Sequence, residues 1–186
     1  MEFFTSPDIT LSVKLLEIIY IIMGLICIYV GVKNARDKEN LSRLGTAVFW
    51  CSLGVVLAIG RWLPPIVNGG LVILMTIPAI LRKVKVGKTN APSKESVKTS
   101  FNKIGMKIFL PTLSIGIFAL IFAIITKLGA LVGIGVGVIV AIILLIAFDA
   151  NTNKPKTFMT DAERLLSLVG PLSMLPMLLA SLGAIF

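Results

Sequence analysis

The chain has 186 residues, 56% of them hydrophobic and 15% charged, with a mean hydropathy of +0.98. A soluble domain is about half apolar or less and carries roughly a quarter or more of charged residues on its surface, so these totals exclude a soluble globule. The absence of histidine removes the commonest metal ligand and general base, so no enzyme, no metal and no cofactor is expected, and the net charge of +9 points either to nucleic acid or to cytoplasmic membrane loops.

The N-terminus, MEFFTSPDIT, carries Glu2 and Asp8 and no early basic residue. A secretory signal needs a basic start and a small-residue cleavage site, so the first apolar run is read as a retained span. A helix needs about 20 predominantly apolar residues to cross the hydrocarbon, and several such runs follow. Span one covers about Leu15 to Val32, with Lys14 and Glu17 three residues apart at its entry and able to pair. Span two covers about Leu44 to Gly60. Span three covers about Pro65 to Leu81, opening on Pro64-Pro65, where a missing N–H costs little. Span four covers about Ile108 to Thr126 and span five about Leu128 to Phe148, a tight antiparallel hairpin turning at Lys127. Cys27 and Cys51 both sit inside apolar runs and are read as small packing residues. A β-barrel would show short alternating segments instead.

The basic residues decide the orientation. Fifteen of the 18 fall in alternate connections: Lys33, Arg36, Lys38 and Arg43 after span one, the eight from Arg82 to Lys107 after span three, and Lys154, Lys156 and Arg164 after span five. Only Lys14, Arg61 and Lys127 fall elsewhere. Short loops rich in lysine and arginine stay in the cytoplasm, which puts the N-terminus outside and accounts for the charge without nucleic acid. In the long inner loop, Val97, Phe101, Ile104 and Ile108 recur at helical spacing among Lys94, Lys98, Lys103 and Lys107. That pattern suits a helix lying on anionic lipid; a solvated linker whose lysines only set topology is the plainer reading.

Two glycine motifs fail as nucleotide sites. Gly87-Lys88-Thr89 lacks the glycine that a phosphate-binding loop carries five residues earlier, where this chain has Arg82. GIGVG, Gly133 to Gly137, lies within span five. Gly129, Gly133 and Gly137 stand four apart as a helix-packing stripe. Asn68-Gly69-Gly70, near the outer end of span three, adds an amide that either hydrogen-bonds between helices or lines a solute path. Pro78 can kink the same helix.

The chain closes on LLSLVGPLSMLPMLLASLGAIF, Leu165 to Phe186, which is uncharged and interrupted by Gly170-Pro171 and Pro176. Thr160-Asp161-Ala162-Glu163 fits a capping box, so a helix is expected to start at Asp161. Proline removes a backbone bond and crowds the preceding turn. A broken helix inside lipid persists only when buried in protein or lining a cavity, and it is the best sequence pointer to a transporter site, its positive end attracting anions. The segment is therefore read as a re-entrant helix or a kinked sixth span, with Gly170, Ser173, Ser181 and Gly183 as candidate substrate-binding residues beside Asn68. Phe186 ends inside an apolar run, where a terminal charge is costly; a longer natural chain, or a partner covering this end, is expected.

The expected fold is thus an all-α polytopic membrane protein: residues 1–81 a three-span unit, 82–107 a basic loop with a surface helix, 108–148 a two-span hairpin, and 149–186 a loop, a capped helix and a broken apolar segment. LEIIY (Leu16–Tyr20), RDKENLSRLGTAVFW (Arg36–Trp50), LPPIVNGGLV (Leu63–Val72) and LPMLLASLGAIF (Leu175–Phe186) then supply a resemblance along nearly the whole chain. They resemble a bacterial family of membrane proteins, formerly of unknown function, described as one of the two membrane subunits of a 5-oxoproline (pyroglutamate) transporter. The resemblance implies a multi-pass permease subunit of the inner membrane that pairs with a second membrane subunit, continues beyond residue 186, and moves a small carboxylate by secondary transport. The family commonly has a glutamine after the proline where this chain has Met177. The alternative expectation is a non-transporting scaffold subunit of a partner permease.

Overall fold

The computed structural model describes residues 2–5, 7, 9–85, 93–148, 157–162 and 164–166. Every regular element among them is helical: α1 (Glu2–Thr5), α2 (Leu11–Arg36), α3 (Arg43–Ile59), α4 (Pro65–Ile80), α5 (Lys94–Ile104), α6 (Phe109–Ile124) and α7 (Ala130–Phe148), with 3₁₀ turns at Gly60–Trp62 and Gly105–Ile108 and helical residues at 157–162 and 164–166. Four helical stretches are long and apolar enough to cross a membrane: Leu11–Arg36, Arg43–Trp62, Gly105–Ile124 and Ala130–Phe148, of 26, 20, 20 and 19 residues. A fifth apolar helix, α4, is shorter at 16 residues. Large apolar side chains stand exposed along these helices, Ile66 at 89% and Ile125 at 76% among them. Lipid tails impose no penalty on such faces, whereas water would.

The chain divides into two compact units. One comprises Ile21–Asn90 with Met159–Phe186. Its core is Cys27 and Val30 of α2 with Phe49, Trp50 and Leu53 of α3, joined by the half-buried Ile26, Leu57, Met75, Val84 and Leu166. The Phe49 and Trp50 rings meet edge to face, centroids 5.2 Å apart. Glycine sets how closely α2 and α3 cross. A Cβ on Gly24 would lie 2.6 Å from the Gly54 carbonyl oxygen and from the Ala58 nitrogen, and one on Gly54 would lie 2.7 Å from the Gly24 oxygen. Such backbone-to-backbone approach is the route by which helices associate in lipid, where apolar burial alone gives no driving force. Both cysteines are free thiols, and Cys51 fills the space over Gly31.

A polar knot closes one end of this unit. α4 ends with Arg82 at φ +52°. The Lys83 N–H bonds to the Pro78 carbonyl and the Arg82 N–H to that of Ala79, the paired bonds of a left-handed helix C-cap. That reversal brings residues 83–85 against the start of α3. Thr46, 1% exposed, donates its hydroxyl to the Lys85 carbonyl and accepts the Lys85 N–H, each at 3.0 Å. The Asn40 amide donates to the same carbonyl at 3.2 Å, while its oxygen accepts the Ser42 N–H.

The other unit comprises Met1–Tyr20 and Ala91–Phe158. Here α6 and α7 pack as an antiparallel pair. A Cβ on Gly133 would meet the Phe118 carbonyl oxygen at 2.5 Å, and one on Gly137 would meet the Ile115 Cα at 2.7 Å. Gly129 has open space around it and a φ of +86°, so it serves the turn into α7 and not the packing stripe. Ser12 ties the start of α2 to that turn by donating its hydroxyl to the Leu128 carbonyl at 2.8 Å. Glu17, six residues after the start of α2, is 6% exposed.

Two further local readings change. Residues 157–160 are already helical, so Thr160 lies inside a helix turn and does not cap one starting at Asp161. Gly105 has φ +58°, which interrupts the helical spacing from Val97 to Ile108 three residues before its end.

Candidate solute-binding site

Asn68 is the candidate site residue that the described structure contains. It sits in the first turns of α4, whose entry is shaped by two prolines. Pro64 precedes the helix with its carbonyl accepting from the Val67 and Asn68 N–H groups, and Pro65 occupies the first turn, where its fixed φ costs nothing. The 3₁₀ turn Gly60–Trp62 and this proline pair lead α3 back into α4, and Gly60 ends up under the Asn68 side chain. The Asn68 amide nitrogen donates to the Gly60 carbonyl at 2.6 Å across eight residues.

That bond orients the other half of the amide. The Asn68 Oδ1 is buried and, among the described residues, is the buried side-chain oxygen left without a hydrogen-bond partner. A Cβ on Gly60 would come within 3.3 Å of it, a crowded contact that glycine avoids. Leaving a buried acceptor unpaired costs about 1–3 kcal/mol. Unsatisfied buried polar atoms in a native fold mark strain, a missing water or a site awaiting a donor. The same connection carries Arg61, which is exposed and is the one basic residue between α3 and α4.

Chemically, the arrangement offers an acceptor oxygen fixed in a low-dielectric setting, next to a turn holding one guanidinium. It can take an N–H or O–H donor from a small solute, and arginine pairs well with carboxylates. Gly69 and Gly70, beside Asn68, have open space where a side chain would stand.

Among the described residues, no other candidate is seen to join this group. Gly170, Ser173, Ser181 and Gly183, with Met177 and the Gly170-Pro171 and Pro176 breaks, lie outside the described residues, as does the rejected Gly87-Lys88-Thr89 loop. Gly133 and Gly137 pack within the α6–α7 pair, and no site residue stands beside them in the contacts described. The partner carbonyl at Gly60 was beyond sequence reasoning, because an eight-residue return depends on how Pro64 and Pro65 redirect the chain. The only signal was the coincidence of Pro-Pro with a polar residue one turn later.

One family model, described as "Protein of unknown function (DUF979)", matches residues 17–186. No curated protein matches the chain, and no solved structure matches it.

Proposed function

The chain belongs to the DUF979 family of proteins of unknown function, and we propose that it acts as a membrane permease subunit. It moves a small carboxylate, 5-oxoproline, by secondary transport together with a second membrane subunit. The observation that carries this reading is the buried, partnerless Oδ1 of Asn68, held inside an apolar helix that opens beside Arg61. 5-Oxoproline presents a ring N–H that such an oxygen can accept and a carboxylate that a guanidinium can pair with. The resemblance of LPPIVNGGLV, Leu63 to Val72, to the transporter family supports the same segment.

In this reading the chain resides in the inner or plasma membrane and crosses it five times, α4 being the short third crossing. The N-terminus is outside and the lysine-rich connections are in the cytosol. From the sequence, Gly170, Ser173, Ser181 and Gly183, which lie outside the described residues, are proposed to offer backbone groups and hydroxyls to the same carboxylate.

The test is uptake of labelled 5-oxoproline in cells expressing this chain alone, the second subunit alone, or both. Uptake is expected only with both. Replacing Asn68 by leucine is expected to lower it about tenfold, the loss of roughly one hydrogen bond to the solute, while Asn68→Gln retains part of it. Full uptake by Asn68→Leu removes Asn68 from the site. Full uptake by the second subunit alone makes this chain a scaffold.

A further inference from the structure

We propose that α5 is an interfacial helix that docks on anionic phospholipid, with Val97 and Phe101 in the acyl boundary and the flanking lysines at headgroup phosphates. Independent of any transported solute, this follows from one face, one charge pattern and one connection.

The face is apolar and half exposed at Val97 and Phe101. Val97 is 51% exposed and Phe101 52% exposed, though both belong to one turn-spaced stripe with Ile104. At about 100° per residue, Val97, Phe101 and Ile104 fall within a narrow arc, and Glu95 falls on the opposite side. Helix α5 separates apolar from polar character more widely than α2, α3, α4, α6 or α7, on an otherwise polar sequence, KESVKTSFNKI. Low overall hydrophobicity with a strong apolar stripe is what lies in a bilayer interface and does not cross it.

The charge says which surface covers that stripe. From Arg82 to Lys107 the sequence holds eight basic residues and one acidic one, Glu95. Lys98 and Lys107 are exposed. Such a density is complementary to phosphodiester headgroups, and long lysine stems can lie along the apolar boundary while their ammonium groups reach the phosphates.

The connection holds the helix at the right depth. The 3₁₀ turn Gly105–Ile108 runs directly into α6, which begins Phe109-Leu110 with both side chains exposed. Gly105, at φ +58°, occupies the left-handed region open to glycine, which breaks the helix between a polar amphipathic segment and an apolar one. A helix tethered to the end of a span has no distance to travel to reach the membrane surface.

The experiment uses the full chain in vesicles of pure phosphatidylcholine or of phosphatidylcholine with phosphatidylglycerol. Val97→Cys, Phe101→Cys and Glu95→Cys are each labelled with an environment-sensitive fluorophore, and the native chain with Cys27 and Cys51 serves as the blank. With phosphatidylglycerol, the labels at 97 and 101 are expected to shift to the blue and to be quenched by shallow brominated lipid, while the label at 95 stays water-like. Lys98→Gln with Lys107→Gln is expected to lower the embedded-to-free ratio by about fivefold per lysine, and high salt is expected to do the same without any substitution. Water-like emission at 97 and 101 in both lipids overturns the proposal. Equal embedding with and without phosphatidylglycerol overturns its anionic requirement.

Discussion

Replacing Gly54 by valine is expected to destabilise the folded chain by about 3 kcal/mol, enough to shift most of it to aggregate in mild detergent. The first added carbon already lies 2.7 Å from the Gly24 carbonyl oxygen and 2.9 Å from the Ile28 nitrogen, and backbone cannot move aside as a flexible side chain can. Gly54→Ala is expected to show a smaller loss of the same sign. Gly70→Ala is the control: it meets nothing within 4 Å, and alanine is the better helix former by about 1 kcal/mol, so its stability holds or rises. Thermal unfolding in detergent, followed by thiol exposure of the buried Cys27, reads all three. A Gly54→Val chain as stable as the parent contradicts the close α2–α3 crossing.

Replacing Thr46 by valine is expected to cost about 2 kcal/mol, although the two side chains have nearly the same shape. The hydroxyl both gives a hydrogen bond to Lys85 and takes one from it, so its removal strands an N–H and weakens the hold on a carbonyl in one step. Thr46→Ser keeps both bonds and is expected to lose about 1 kcal/mol for the missing methyl. The segment Arg82–Lys85 should then open locally in the valine variant. Limited trypsin treatment, which cuts after Arg82, Lys83 and Lys85, reads this directly as faster cleavage. Equal cleavage rates in parent and valine variant would show that the knot does not hold the segment.

Both effects concern features that a linear reading of residues could not supply. The apolar runs located α2, α3, α4, α6 and α7 within a few residues, because a lipid solvent demands length and apolarity and little else. Helix α2 extends past its expected end near Val32 to Arg36, since Lys33 and Arg36 can sit in a last helical turn, where positive charge is favourable. Gly24 and Gly54 carried no such signal. Their importance comes from facing each other across two helices, and the glycines that did attract notice, Gly129, Gly133 and Gly137, include one that only makes a turn. Thr46 and Asn40 lay in a stretch marked by family resemblance, yet their partner is backbone some forty residues away.

The candidate site was legible in one residue. Asn68 stood out as a polar group in an apolar run, and the structure adds which way its amide is tied and which atom is left over. The Gly60 carbonyl that ties it belongs to a turn whose path depends on Pro64 and Pro65 together. Glu17 was legible only as a charged residue near the entry of a span; that its side chain is buried against the protein, in a helix that begins at Leu11, depends on packing that a linear reading does not contain.

The account rests on apolar helices threading a bilayer with the basic connections held in the cytosol. Single cysteines at Lys38, Arg61, Lys98 and Lys127, treated with a membrane-impermeant maleimide on intact cells, test it most directly, with the native cysteines as background. Positions 61 and 127 are expected to label from outside, and positions 38 and 98 only after the cells are opened. Labelling of position 38 or 98 in sealed cells, or of all four alike, would contradict it.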